Sequence, residues 1–142
     1  MSELKRTQLY DVHVAAGADM VDFGGWGMPI QYPTGIVAEH LYTRRACGLF
    51  DVSHMAELVL KGPDALANAQ MLLTNDLSDM ADGQVRYSPM CNERGGVVDD
   101  MVVYRFHDDC YMMVVNAANH QKDADWVRAH LSGDVQFEDI ST

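Results

Sequence analysis

Apolar side chains recur every three or four residues in three stretches of the chain, the spacing that places them on one face of an α-helix. A fourth helix is expected near the end of the chain. In the second stretch, the side chains predicted to be buried are Ile36, Val37, His40, Leu41 and Thr43. Thr7 is the expected N-cap of the first helix. Helices are therefore predicted over residues 7–17, 34–46, 63–75 and 117–131.

Seven shorter runs have the composition and spacing of β-strands, and they cover residues 20–23, 49–53, 55–61, 84–92, 97–106, 110–116 and 135–140. Residues 24–29 contain three glycines and a proline and are predicted to form a loop. Short turns join the strands between residues 84 and 116, which predicts an antiparallel meander. Because helices and strands are mixed without regular β-α-β alternation, the predicted fold class is α+β, a mixed or antiparallel sheet with flanking helices.

The length and composition of the chain indicate one globular domain and disfavour some classes of binding partner. With 142 residues, of which 48% are hydrophobic, the chain is long enough to bury a core as one domain, residues 1–142. The 21 acidic residues outnumber the 10 basic ones, so the net charge is −11, which disfavours nucleic acid and anionic membranes as partners. The sequence contains neither the ~18-residue apolar run of a membrane span nor the apolar segment of a signal peptide, so a cytoplasmic location is predicted.

The sequence lacks the common motifs of metal-binding and nucleotide-binding sites. The three cysteines form no C-x-x-C pair, and the six histidines have no zinc-ligand spacing, so no metal site is expected. The glycines at positions 24, 25 and 27 do not form the phosphate loop of dinucleotide-binding proteins, and the sequence has no Walker-type motif. Several of the ten methionines could line an adaptable pocket, but most are expected in the core.

Two adjacent carboxylates, Asp99 and Asp100, are the first candidates for acid/base chemistry. Successive side chains of a strand point to opposite faces, so the two cannot share one site. Their neighbours are mostly apolar on both faces, so the strand is expected to be covered on both sides, with at least one carboxylate partly buried and its pKa perturbed. An aspartate that hydrogen-bonds a neighbouring turn explains the same pattern equally well.

Asp51, Ser53 and His54 together suggest a catalytic triad, but the spacing argues against one. Three members within four residues of one strand diverge and cannot form the line from nucleophile to base to orienting acid. Asp51 and Ser53 are expected to bond to backbone in a turn.

Polar and aromatic residues on the predicted meander suggest a ligand site. Tyr87 and Tyr104 lie on the two strands of its first hairpin, and Asn116 ends its third strand. Together with an aspartate they could surround a flat heterocycle, because the aspartate and asparagine supply hydrogen bonds while aromatic side chains supply apolar walls.

Several collinear motifs resemble the aminomethyltransferases, the T-proteins of the glycine cleavage system. The motifs are MVDFGGWGMP at 20–29, GLFDVSHM at 48–55, LTND at 73–76, YS followed by NERGGVVDD at 87–100, and VVNAAN at 114–119. They occur in the family's order over essentially the whole chain. The resemblance implies the N-terminal portion of a three-domain folate-binding fold, and the chain is expected to be truncated and inactive alone.

The same resemblance implies a reaction and a set of residues. The family transfers a one-carbon unit from the aminomethyl-lipoyl arm of H-protein to tetrahydrofolate, its co-substrate, and releases ammonia. Asp100 matches the aspartate that contacts the folate N10 region and is the expected catalytic residue. Met55, Tyr87, Tyr104 and Asn116 match positions at the folate pocket.

Two alternatives stay open from the sequence. One is a folate-dependent demethylase of the same superfamily, because the folate hairpin alone does not separate the two activities. The other is a folate-binding or assembly module that has no turnover.

Overall fold

The computed structural model describes residues 3–141, which form two compact units that divide after His54. The first unit contains helix α1 (Tyr10–Ala15), strands β1 (Asp19–Phe23) and β2 (Trp26–Gln31), and helix α2 (Ile36–Arg45). The two strands pair in antiparallel fashion as a two-stranded sheet.

The prediction of a loop over residues 24–29 is wrong for most of its length, because β2 begins at Trp26. Gly24 and Gly25 form a two-residue turn with φ angles of 61° and 89°, a left-handed conformation that favours glycine. Pro29 is tolerated inside β2 because a two-stranded sheet consists of edge strands.

Three further expectations for the first unit are corrected. Residues 49–53 form no strand, and Leu49 is fully exposed. Helix α1 begins at Tyr10, and Thr7 does not cap it, because its hydroxyl donates to Asp51 instead. Helix α2 buries none of its residues, and Val37 on its predicted inner face is 73% exposed.

The second unit consists of a five-stranded sheet and its helices. Its elements are β3 (Ala56–Lys61), α3 (Ala65–Leu72), β4 (Val85–Cys91), β5 (Val97–His107), β6 (Cys110–Val115), a 3₁₀ turn (Ala117–Asn119), α4 (His120–Ala129) and β7 (Gln136–Asp139). The strand order is β4-β5-β6-β3-β7 and all neighbours are antiparallel. The predicted meander and the α+β class are confirmed.

The two faces of this sheet differ in burial. One face packs with α3 and α4 into the core, where Leu58, Met101, Val103, Met113 and Val127 are almost fully buried. On the opposite face, which we call the open face, the side chains of β5 at Val102 and Tyr104 are only half-buried. We expected both faces of β5 to be covered, but only its core face is.

No helix within residues 3–141 is both long and apolar enough to cross a membrane. In the same part of the chain, no three His, Cys, Asp or Glu side chains are placed to hold a metal ion.

Candidate functional site

The sheet of the second unit places four of the five predicted site residues on or beside its open face. Tyr87 of β4 pairs with Val102, and Tyr104 of β5 pairs with Met112 of β6, so both tyrosines share a face with Asp100. Asn116 follows the last residue of β6. Met55 is half-buried in a bend directly before β3.

Hydrogen bonds join Tyr87, Asp100 and Asn116. The Tyr87 hydroxyl donates to Oδ2 of Asp100 at 2.5 Å. The Asn116 amide Nδ2 donates to the Asp100 carbonyl at 3.0 Å and lies 3.4 Å from Oδ1 of the same residue. The bond to Asp100 raises the pKa of Tyr87, so this phenol keeps its proton and acts as a donor.

Asp99 lies on the core face and is 5% exposed. Its carboxylate accepts hydrogen bonds from the Asn116 main-chain N–H at 3.3 Å and from Nδ2 of Asn116 and of Asn119, each at 2.9 Å. Burial alone would raise the pKa of Asp99, but the hydrogen bonds that its carboxylate accepts, among them those from Asn116 and Asn119, lower it. Asp99 is therefore a buried anion whose lone pairs are already used by the protein.

Asp123 on α4 is a third carboxyl group at this site, which was not predicted from the sequence. Its side chain is fully buried, and burial together with the neighbouring Asp99 raises its pKa to about 8. A signal was present, because Asn119, Asp123 and Val127 follow one another at helical i, i+4 spacing and so share a face.

The apolar part of the open face lies beside this polar cluster. Val102, Tyr104, Met112 and Val114 are half-buried along two neighbouring strands. Four methionines that could have lined a pocket instead fill the core: Met80, Met90, Met101 and Met113. The arrangement offers a flat apolar surface bordered by one carboxylate, one amide and one phenol, which suits a planar ligand with polar edges.

The first unit holds a separate polar cluster around Asp51. His13 Nε2 lies 2.9 Å from Asp51 Oδ2, and His13 Nδ1 lies 2.7 Å from the Tyr32 hydroxyl. Thr7 and Ser53 also donate to the Asp51 carboxylate. Burial would raise the pKa of Asp51, but these hydrogen bonds lower it well below its usual range.

This cluster is not a nucleophile triad, in agreement with the sequence analysis. The Ser53 hydroxyl donates directly to Asp51 at 2.6 Å, and the Ser53 main-chain N–H donates to the same oxygen, which forms the expected turn. His54 takes no part, because its ring packs edge-on against Phe23. The imidazole that does bond Asp51 belongs to His13 on α1, for which no role was predicted from the sequence.

Comparison with known proteins gives consistent matches. The family described as "GCVT N-terminal domain" matches residues 9–142. A protein named aminomethyltransferase from Shouchella clausii is 54% identical over 140 residues, 99% of this chain and 38% of that protein. Another of that name from Thermotoga maritima is 50% identical over 97% of this chain and 38% of its own length.

A solved structure agrees with these relatives. The crystal structure of glycine cleavage system aminomethyltransferase T from Bartonella henselae superposes with a TM-score of 0.91 at 38% identity, and covers 97% of this chain and 38% of that one. The chain thus spans well under half the length of the relatives it matches. The family resemblance seen in the motifs is confirmed.

Proposed function

The chain belongs to the GCVT N-terminal domain family, and we propose that it is the N-terminal part of a cytoplasmic aminomethyltransferase of the glycine cleavage system. The full-length protein would take the aminomethyl group from the lipoyl arm of H-protein, pass the one-carbon unit to tetrahydrofolate and release ammonia. The names of the relatives and of the structural neighbour support this activity.

The open face supports tetrahydrofolate as the ligand of this part of the protein. Its pterin ring and aminobenzoyl group are flat and carry polar N–H and carbonyl edges, which match the apolar strip at Val102, Tyr104 and Met112 and the polar groups beside it. We assign Met55, Tyr87, Tyr104 and Asn116 to the binding of this co-substrate.

Asp100 is the proposed catalytic residue, and its position carries the proposal. It is half-buried on the open face, whereas Asp99 is on the core face with its oxygens occupied. A carboxylate at Asp100 would orient the reacting N–H of tetrahydrofolate, accept its proton as the C–N bond forms, and stabilise positive charge at the transferred carbon.

Asn116 and Tyr87 would hold the Asp100 carboxylate in place for this step. Asn116 contacts the main chain and side chain of Asp100, and Tyr87 fixes the other carboxylate oxygen. Such fixation matters because acid/base catalysis depends on a geometry accurate to fractions of an ångström.

The test uses the full-length protein with tetrahydrofolate and three one-carbon donors: aminomethylated H-protein, a small S-methyl compound and a small N-methyl compound. We expect ammonia release with the first donor and no transfer of a one-carbon unit to tetrahydrofolate from the other two. Turnover of a methyl donor alone would favour the demethylase, and tetrahydrofolate binding without turnover of any donor would favour a binding module. The 142-residue chain, assayed in parallel, is expected to lack transfer activity because it supplies only part of the site.

A further inference from the structure

The carboxyl group of Asp123 has no partner as an anion. Both of its oxygens are buried, and neither accepts a hydrogen bond from any donor within residues 3–141. An ionised carboxylate left without donors in a protein interior is strongly destabilising. Lys122 does not remove the problem, since its ammonium group donates to the Val98 carbonyl and stays 3.9 Å from Asp123 Oδ1.

As a protonated acid, Asp123 has a ready acceptor. Its neighbour is the Asp99 carboxylate, which is also buried on the core side of the sheet. Two adjacent buried carboxyl groups cannot both ionise without a large energetic cost, so one proton is retained by the pair. Asp99 already accepts three hydrogen bonds, which favour its charged form and leave the proton on Asp123.

We propose that Asp123 carries a proton at neutral pH and donates it in a hydrogen bond to Asp99, which makes Asp123 a positioning residue for the site at Asp100. Asp99 held in this way fixes both the main-chain N–H and the side-chain amide of Asn116. The same amide contacts Asp100, so a path of hydrogen bonds runs from α4 to the open face. The link to catalysis rests on the proposed function; the proton on Asp123 does not.

The experiment follows the Asn116 side-chain amide by NMR in the full-length protein labelled with ¹⁵N-asparagine, without any ligand. Between pH 5 and 9 the wild-type signal should shift with a midpoint near 8, because ionisation of Asp123 breaks the bond to Asp99. Asp123→Asn keeps the shape and a donor but cannot ionise, so it should keep the neutral-pH signal and lose the titration. The matched control Asp125→Asn, an exposed position on the same helix, should keep the titration.

A second variant tests the positioning role. Asp123→Leu removes the donor, so the Asn116 signal at pH 7 should move and its hydrogen exchange should accelerate, while Asp123→Asn stays close to wild type. In transfer assays, Asp123→Leu should raise KM for tetrahydrofolate roughly tenfold, the scale of one buried group left unpaired. Asp123→Asn should stay within about twofold of wild type by the same reasoning.

Different results would refute the role of Asp123 and the proposed function. If the Asn116 signal does not titrate, or titrates equally in Asp123→Asn, then Asp123 does not hold the proton. If Asp123→Leu folds and leaves the Asn116 signal unchanged, Asp123 does not position that residue. A normal titration in a protein that does not bind tetrahydrofolate would instead refute the proposed function.

Discussion

Asp99 and Asp100 are consecutive along β5 and lie on opposite faces of it, yet one side-chain amide, that of Asn116, contacts both. Asp99 is 5% exposed and is held by hydrogen bonds from main chain and side chains, whereas Asp100 is half-buried beside the Tyr87 hydroxyl. The pair therefore divides its roles: one carboxylate organises the strand ends and the other is available to a ligand.

This division predicts that substitutions of the two aspartates change the free energy of unfolding by different amounts. In Asp99→Asn, the new side-chain N–H₂ is a donor that faces N–H groups which are also donors, so hydrogen bonds are lost in a buried site. We therefore expect the free energy of unfolding to fall by about 1–3 kcal/mol. Asp100→Asn should change it by less than about 0.5 kcal/mol, since that side chain is only half-buried. Urea denaturation of both variants measures the difference. Equal losses would contradict the structural role assigned to Asp99.

Tyr87→Phe isolates the hydrogen bond to Asp100. Tyr87 is 56% exposed, so its hydroxyl contributes little to folding, and the free energy of unfolding should change by less than about 0.5 kcal/mol. The transfer rate should fall roughly tenfold, because the carboxylate loses the donor that fixes one oxygen. Tyr42→Phe, another exposed tyrosine but on α2, is the control and should leave the rate unchanged. A Tyr87→Phe protein with full activity would show that the phenol plays no part in positioning Asp100.

The Asp51 cluster predicts an acid-dependent loss of stability in the first unit. The pKa of Asp51 is lower in the folded than in the unfolded state, so its contribution is complete above the unfolded value, about 4, and is lost as the pH falls below it. Amide hydrogen exchange in residues 8–16 should be slower in wild type than in Asp51→Asn at pH 7, with the difference shrinking below about pH 4. Asp19→Asn, at an exposed position, should behave as wild type at both pH values. A difference that grows on acidification would reverse the assigned sign.

Alanine substitutions at two glycines with positive φ distinguish the cost of backbone strain from the cost of steric crowding. A Cβ on Gly62 would lie 2.7 Å from the Asp134 carbonyl oxygen, whereas at Gly83 nothing lies within 4 Å. Both have positive φ, so alanine at either position costs about 1 kcal/mol of backbone strain. Gly62→Ala should cost at least about 1 kcal/mol more in thermal unfolding, because the β3–α3 connection must shift. Similar melting temperatures for the two variants would contradict the close packing at Gly62.

The meander could be predicted from the sequence because its signals are local. Alternating apolar positions and short turns place β4, β5 and β6 within one residue of their observed ends, and alternation alone separates Asp99 from Asp100. The Gly-rich segment at 24–29 was predicted wrongly because glycine and proline indicate a turn without giving its length. Here Gly24 and Gly25 alone form the turn, and strand β2 begins at Trp26.

Other features depend on contacts between distant parts of the chain. The pattern of α2 identifies an apolar face but not what covers it, and all of its residues lack full burial. Asp123 becomes part of the site only because α4 packs it against Asp99, 24 positions earlier, and no local motif states that pairing. His13 likewise meets Asp51 across 38 positions.

Asp100, and not its neighbour, is the proposed catalytic carboxylate. Asp100→Asn keeps the shape and removes the charge and the proton acceptor, and the loss of one positioned acid/base group costs about 10²–10⁴-fold in rate. Asp99→Asn leaves that group in place, so its effect on turnover should be much smaller even where stability falls.

The most direct test compares these two variants in the full-length protein by ammonia release from aminomethylated H-protein and tetrahydrofolate, with melting temperatures recorded beside kcat. We predict that Asp100→Asn stays folded and loses about 10²–10⁴-fold in kcat, while folded Asp99→Asn retains most of its turnover. A folded Asp99→Asn without activity, next to an Asp100→Asn protein close to wild type, would contradict the account.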